Sequence, residues 1–506
     1  PRKALGRHQN GGAMINAGMR SSVVLAALLA GCAVGPDFRP PDAPHVSKFL
    51  PDHAADLPNG ASTQGHTIAR GAVVPAAWWE LLRSPALNQL VRDGIAHNPE
   101  LAAAEAAVRV AQANAMAERG ALFPAVDANA QGTRQRPAGQ VSDPVTGQVS
   151  KAPLYNVTTR QVSISYIPDV WGGTRRLVEA ADAETEAQMF QREAVYLTLA
   201  SNIALAAIEE ARLRGQITTT QNVIRVQSRF LDILRRQHEQ GLIPLPDVAT
   251  QETAVAQARM LLPPLQKELA QQRNILAVLT GRFPSELDKP HFRLGDFQLP
   301  RQLPLSLPAE LVRQRPDVRT AEAKVRAANA QIGAALAARL PQITLSGDIG
   351  RTRSNMPDLS PSGGFWMVAG NVGQKVFDAG TLYFKQQAAE EATNQAVAEY
   401  RSVVLAAFQN VGDVLRALQA DAATLRAAEA AERSAARNID LIRRQFEQGE
   451  VSVPILLAAQ DAYLHTSLAR NDAQAARLAD AVALFQALGG GWWNRGETVT
   501  ADAGRS

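Results

Sequence analysis

The sequence predicts a mainly α-helical protein with a transmembrane β portion, built from two copies of one pattern. Three observations carry this. Residues 174–243 and 381–453 contain no proline and are rich in Ala, Leu, Gln, Glu and Arg, the composition of long, closely packed helices. Four short segments alternate apolar and polar residues, the period of a strand with one apolar face. Matching blocks recur in the same order at a nearly constant separation.

Composition narrows the function classes. The chain has 506 residues, 46% of them hydrophobic, which is enough apolar surface for a core and excludes a disordered chain. No run of 18 uninterrupted apolar residues occurs, which excludes a polytopic helical membrane protein. The lone cysteine, Cys32, excludes a disulfide framework. A net charge of +4 without a dense Lys/Arg block gives nucleic acid no footing.

Residues 1–31 are expected to be a signal peptide with upstream sequence. Arg20 supplies the positive region and 23–30 an apolar stretch too short to span a bilayer. The stretch ends Leu29-Ala30-Gly31-Cys32, which resembles the bacterial lipoprotein box. That resemblance makes Cys32 the lipidation site, its thiol accepting diacylglycerol and the mature terminus carrying palmitate. In the matching sorting rule, Asp after the cysteine retains a protein at the inner membrane. Ala33 therefore implies the outer membrane. Residues 32–77 are rich in Pro, Gly, Asp and Ala without periodicity and are expected to form an extended, lipidated strap.

The remainder reads as two repeats, 78–300 and 301–491, with a tail at 492–506. Residues 99–124 align on 316–341 without a gap, with 11 of 26 positions identical. Trp171-Gly172-Gly173-Thr174 matches Asp378-Ala379-Gly380-Thr381, and residues 235–241 match 443–449 at six of seven positions. Leu279-Thr280-Gly281 matches Leu488-Gly489-Gly490. The period is far too long for a solenoid.

Each repeat opens with a helix that stops at Pro124 or Pro341. Strands are expected at about 122–134 and 155–168, and again at about 341–351 and 365–377. Their polar faces carry Ser, Thr, Asn and Gln, as in the wet lumen of an outer-membrane barrel. A soluble hairpin packed on a helix would show the same alternation. Loops at 134–154 and 352–364 join each pair. A helix of about 100 Å follows, with seams at Val223, Val226, Phe230 and Ile233 and at Val404, Phe408, Val411, Leu415 and Leu418. It turns at 241–246 or 449–454, and a return helix ends at Gly281 or Gly489. Pro263-Pro264 must break or kink the first return helix.

Four strands cannot close a transmembrane barrel, whose smallest closed forms have about eight. An open edge is not permitted in lipid. The strands must be shared between protomers, and the apolar helical seams need neighbours for the same reason. A ring of copies follows: a β-barrel in the membrane continued by a helical tube.

At this point a family resemblance enters. Residues 33–38 (Ala-Val-Gly-Pro-Asp-Phe), Trp78-Trp79, Asn98-Pro99-Glu100-Leu101, Pro168-Asp169-Val170-Trp171-Gly172, both Gln-Gly turns and Leu488-Gly489-Gly490-Gly491-Trp492 together resemble the outer-membrane efflux factors of the TolC/OprM/NodT family, above all its lipidated branch. The resemblance implies a homotrimer with a 12-stranded β-barrel and an α-barrel of antiparallel coiled-coil hairpins. It further implies a passive conduit for small molecules such as drugs, anchored in the outer membrane of a Gram-negative bacterium and reaching into the periplasm. The implied partners are a periplasmic adaptor and an inner-membrane pump of the resistance-nodulation-division type. Two other readings stay open: the exit duct of a type I protein-secretion system, and a structural coiled-coil lipoprotein without a pore.

No catalytic residue, metal site or cofactor is expected. The eight histidines are scattered without ligand spacing, and no Walker loop, His-Glu-x-x-His or Gly-x-Ser-x-Gly occurs. The candidate sites are surfaces. Gly241, Leu242, Ile243, Pro246, Gly449, Val451, Ser452 and Pro454 form two turns that are apolar where solvated tips are polar. With Leu242, Ile243 and Val451 exposed, the turns are expected to dock the adaptor. The family carries its constriction just after the second turn, in some members as aspartates on successive helical turns. Here the matching positions are Ile455 and Ala458. A partly apolar gate of Ile455 and Leu456 is expected, backed by Asp247, Asp461 and arginines such as Arg443 and Arg444. Packing of both residues in the coiled-coil seam is the alternative.

Overall fold

The computed structural model describes residues 33–42, 46, 49, 67–136, 138, 140–142, 149–151, 154–286, 291–306, 308–355 and 363–495. The expected signal peptide and Cys32 lie outside the described residues. In chain order the elements are β1 (Thr67–Arg70), α1 (Pro85–His97), α2 (Pro99–Gly120), β2 (Ala125–Gln135), β3 (Gln140–Ser142), β4 (Val149–Lys151), β5 (Tyr155–Tyr166), α3 (Gly173–Glu239), α4 (Leu245–Met260), α5 (Leu262–Leu279), β6 (Gln302–Leu305), α6 (Pro308–Gln314), α7 (Pro316–Ala337), β7 (Gln342–Ser354), β8 (Gly363–Gly373), α8 (Thr381–Glu447) and α9 (Val453–Ala487). Short 3-10 turns cover Trp78–Leu82, Leu294–Asp296 and Trp492–Asn494. The described residues within 1–40, 109–186 and 323–398 form one compact unit, and those within 41–108, 187–322 and 399–506 a second.

In the first unit, β2, β5, β7 and β8 form one antiparallel sheet in that order. The long helices that follow the two strand pairs, α3 and α8, have 67 residues each and begin with the same device. The Asp169 carboxylate accepts from the backbone N–H groups of Thr174 and Arg175, both at 2.9 Å. Asp378 accepts from those of Gly380 and Leu382, both at 3.0 Å. A carboxylate there satisfies orphan donors and faces the positive end of the helix dipole. Trp171 Nε1 donates to the Pro341 carbonyl at 2.7 Å, tying the start of α3 to the entry of β7.

Residues 33–37 are seated in this unit. Val34 N–H donates to the Trp171 carbonyl at 3.0 Å. The Arg176 guanidinium donates to the carbonyls of Val34 and Gly35, both at 3.3 Å, and to Asp37 Oδ1 at 2.8 Å. Only glycines permit the approach. A Cβ on Gly333 would lie 2.7 Å from the Val34 carbonyl oxygen, and one on Gly35, whose φ is +102°, only 2.5 Å from Gly333 Cα.

The second unit is helical. Trp78 stacks on Phe485 with centroids 5.3 Å apart, and both rings are fully buried. Asn98 caps α2 through its Oδ1, which accepts from Glu100 N at 2.8 Å and Leu101 N at 3.1 Å. Its Nδ2 donates to the Leu279 carbonyl at 3.0 Å, where α5 ends. Glu210 is fully buried and accepts from Arg214 Nε (2.6 Å), Phe292 N (3.0 Å) and Arg273 Nε (3.4 Å). Three successive glycines with positive φ, Gly489 to Gly491, stop the chain after α9.

Several expectations change on this frame. The strap is not wholly extended coil: β1 pairs in parallel with β6, Thr67 opposite Gln302 through Arg70 opposite Leu305. The first inter-strand loop carries the small hairpin β3–β4. The return helix of the first half is two helices, α4 and α5, parted at Leu261, and Pro263 sits where a missing N–H costs nothing. The fourth strand ends at Gly373, so Val376 and Phe377 lie beyond the ladder. The seam of α3 is rotated by one residue: Val223 is buried, but Val226 and Ile233 are 47% and 45% exposed. Gln227, Leu231 and Leu234 are buried in their place. The α8 seam holds, with Val404, Val411 and Leu415 buried.

Candidate functional site

The sheet has two chemically different faces. Ala128, Val162, Ile349 and Trp366 stand in one cross-strand row, and Val126, Ile164, Gly347 and Val368 in the next. Among the described residues nothing covers this apolar face: Trp366 is 77% exposed and Val368 79%. The opposite face carries Asp127, Ser163 and Asp348 in one row, with Asn129 and Gln161 in the next. Ser163 Oγ donates to Asp348 Oδ1 at 2.6 Å, and Gln161 Nε2 donates to Ser163 Oγ at 3.2 Å. Phe365 and Met367 of β8 are the apolar members of that face. Strands β2 and β8 are the sheet edges. Among the described residues no further strand pairs with either edge, so each presents a row of backbone donors and acceptors.

The two helical turns are built alike. Gly241 and Gly449 have φ of +74° and +76°. Leu242 N–H reaches back to the Gln237 carbonyl at 2.9 Å, and Glu450 N–H to that of Gln445 at 2.8 Å, the hydrogen bonds of a helix stop on a left-handed residue. His238 Nδ1 lies 2.9 Å from the Ile243 carbonyl, fixing the first turn. Beneath the turns Leu231, Leu234, Val248, Val255 and Val453 form a buried cluster, against which Phe230, Ile243, Phe446 and Leu457 pack. Phe230 and Phe446 meet edge to face at 4.9 Å. The expectation of three exposed apolar residues is thus corrected. Leu242 is 68% exposed, but Ile243 and Val451 are half-buried, because Ile243 packs on the cluster. Pro246, Ser452 and Pro454 are exposed.

The expected gate residues separate in the same way. Leu456 is 2% exposed and packs in the protomer core, as the seam alternative has it, whereas Ile455 is 47% exposed. Adjacent residues on one helix point about 100° apart, so burial of one leaves the other at the surface. Asp247 is half-buried in the first turn of α4. Asp461 is exposed, with its carboxylate 3.5 Å from His465 Nε2. Asp461 and His465 line an open groove of about 600 Å3 with Gln227, Thr250 and Leu457. Arg443 pairs with Glu447 at 3.3 Å.

One cluster had no signature in the sequence. The carboxyl group of Asp480 on α9 lies beside that of Asp421 on α8. Burial and the neighbouring Asp421 carboxyl push Asp480 up to about 7. Arg477, one turn earlier, is buried and held below its ordinary value by desolvation. Two acidic residues 59 positions apart give no local pattern; only the antiparallel course of the helices joins them.

Comparison with known proteins decides the family. The model of the outer membrane efflux protein family matches twice, over residues 90–282 and 307–490. The chain belongs to the outer membrane efflux protein family. The probable efflux pump outer membrane protein TtgC of Pseudomonas putida is 30% identical over 478 residues, covering 94% of this chain and 96% of that one. The pyoverdine export outer membrane protein OpmQ of the same species is 29% identical, covering 85% of this chain and 92% of its own. Among solved structures, the outer-membrane channel OprN superposes with a TM-score of 0.79 at 24% identity, over 91% of this chain and all of that one. This efflux protein is the outer-membrane component of a tripartite system, acts with an adaptor and an inner-membrane pump, and extends into the periplasm.

Proposed function

We propose that three copies of this efflux protein close a 12-stranded β-barrel and continue it as an α-barrel. The result is a passive conduit exporting small molecules, drugs among them. The observation that carries this reading is the four-stranded sheet with an uncovered apolar face and two open edges. Unpaired backbone groups cost several kcal/mol each in hydrocarbon, so β2 and β8 must find partners on other copies. Val226, Ile233, Leu405 and Leu441 are exposed on the long helices and supply apolar surface for neighbouring copies. Two matches of one family model support an internal duplication into halves at about 78–300 and 301–491. The relatives' names, a probable efflux pump component and a pyoverdine exporter, favour small-molecule cargo. A resistance-nodulation-division pump would drive transport, and the adaptor would meet the turns around Gly241 and Gly449. Cys32 would carry the lipid anchor. Native mass spectrometry in detergent should find three copies, and the same preparation should conduct in planar bilayers. A stable folded monomer, or a trimer that never conducts, would overturn the reading.

A further inference from the structure

Four arginines stand on the apolar side of the sheet. Arg160 of β5 lies directly opposite Arg351 of β7. Arg134 and Arg353 share that face, since side chains two residues apart on a strand point the same way. All four are exposed. The Arg160–Arg351 row follows the Val162–Ile349–Trp366 row, about 7 Å further along the strands. It lies toward the inter-strand loops and away from the helices that run into the periplasm. The basic cluster therefore begins at the outer end of the apolar face.

Like charges directly opposite on neighbouring strands repel, and among the described residues nothing on this face offsets them. The only acidic residues in the four strands, Asp127 and Asp348, are on the opposite face. None of the four arginines makes an ion pair among the described residues. The arrangement is unfavourable alone and favourable around an anion. A guanidinium fork fits phosphate oxygens in pairs. A soluble anion would gain nothing from the adjoining apolar surface, whereas a lipid would use both.

We propose that Arg134, Arg160, Arg351 and Arg353 bind the phosphate groups of a phosphorylated lipid in the outer leaflet, with its acyl chains lying on Val162, Ile349 and Trp366. The site rests on the barrel reading above, because that reading turns this face to lipid. With the phosphates bound, the repulsion between Arg160 and Arg351 becomes a shared attraction, and the lipid bridges β5 and β7 at the outer rim.

The test uses the full-length trimer in detergent, with diphosphoryl lipid A, dephosphorylated lipid A and inorganic phosphate as probes. Native mass spectrometry counts bound lipid, and thermal melting reports its effect. Diphosphoryl lipid A should bind and raise the melting temperature. Dephosphorylated lipid A should bind at least tenfold more weakly, and inorganic phosphate should leave melting unchanged. Arg160→Gln with Arg351→Gln should weaken lipid A binding at least tenfold. Without lipid the same variant should melt no lower than the wild type, because it loses a repulsion. Arg353→Gln, one row further out, should weaken binding less and serves as the second variant. Equal binding by both variants and the wild type would overturn the site, as would an equal response to inorganic phosphate. A wild-type preparation without trimers or conductance would instead overturn the barrel reading, so the two failures are distinguishable.

Discussion

Gly333→Ala sets two effects of opposite sign against each other. Gly333 lies inside α7, where alanine is the better helix former by about 1 kcal/mol. Propensity alone therefore predicts a gain in stability. The surroundings predict a loss. The new Cβ would lie 2.7 Å from Arg176 Cγ and 2.7 Å from the Val34 carbonyl oxygen. Ordinary contacts are far longer, so the segment 33–37 or the Arg176 side chain must move. Either movement breaks the Arg176 hydrogen bonds to the Val34 and Gly35 carbonyls, and leaving the segment also breaks the Val34–Trp171 bond. Neutral hydrogen bonds contribute about 1 kcal/mol net and those to charged groups about 1.5–3 kcal/mol. The Asp37 ion pair adds little, because Asp37 is 92% exposed. Both guanidinium bonds are long, at 3.3 Å, so the lower end applies: about 3–4 kcal/mol lost, and roughly 2–3 kcal/mol net after the helix gain. Hydrogen exchange at the Val34 amide should speed up on the order of 10- to 100-fold. Thermal unfolding should shift downward. A variant more stable than the wild type, with undiminished protection at Val34, would refute the seating of the N-terminal segment.

Leu242→Glu should abolish efflux while leaving assembly intact, because the side chain is exposed in one copy and supports no core; minimum inhibitory concentrations and native mass spectrometry check both halves. Val451→Glu is expected to act in the same direction but with some loss of stability, since Val451 is half-buried. Ile455→Ser should raise the conductance of the isolated trimer, whereas Leu456→Ser should chiefly destabilise by about 2–4 kcal/mol, the range for truncating a buried apolar side chain. Unchanged conductance in Ile455→Ser with a change in Asp247→Ala or Asp461→Ala would favour an acidic constriction. Asp480 binds its proton more tightly folded, at about 7, than unfolded, near 3.8. The folded state therefore holds the extra proton between about pH 4 and pH 7, and stability falls as pH rises through that window before levelling. Asp480→Asn should flatten this slope and raise the melting temperature at pH 8. An unchanged pH profile would mean the pair is solvated.

The sequence by itself determined the elements and their punctuation. Proline-free stretches became α3 and α8, Pro99 and Pro316 opened α2 and α7, and Gly241 and Gly449 turned the chain. These are local matters, set by dihedral freedom, missing N–H groups and side-chain periodicity within a few residues. The alternating segments likewise announced strands with one apolar face, since a period of two needs no partner to be seen. The tertiary structure decided what meets what. It set β5 beside β7, bringing Arg160 opposite Arg351 across 191 positions of chain. It paired β1 with β6, and it chose Gln227 over Val226 for burial on α3. It tucked Ile243 onto the buried cluster that holds Val248 and Val453, sank Leu456 and left Ile455 outside. Apolar residues on adjacent positions look equal in a sequence. Which one is buried depends on the rotation of the helix, and that rotation is fixed by packing against distant segments. For Asp421 and Asp480 the same holds for charge: desolvation and repulsion arise only where two helices bring both carboxylates together.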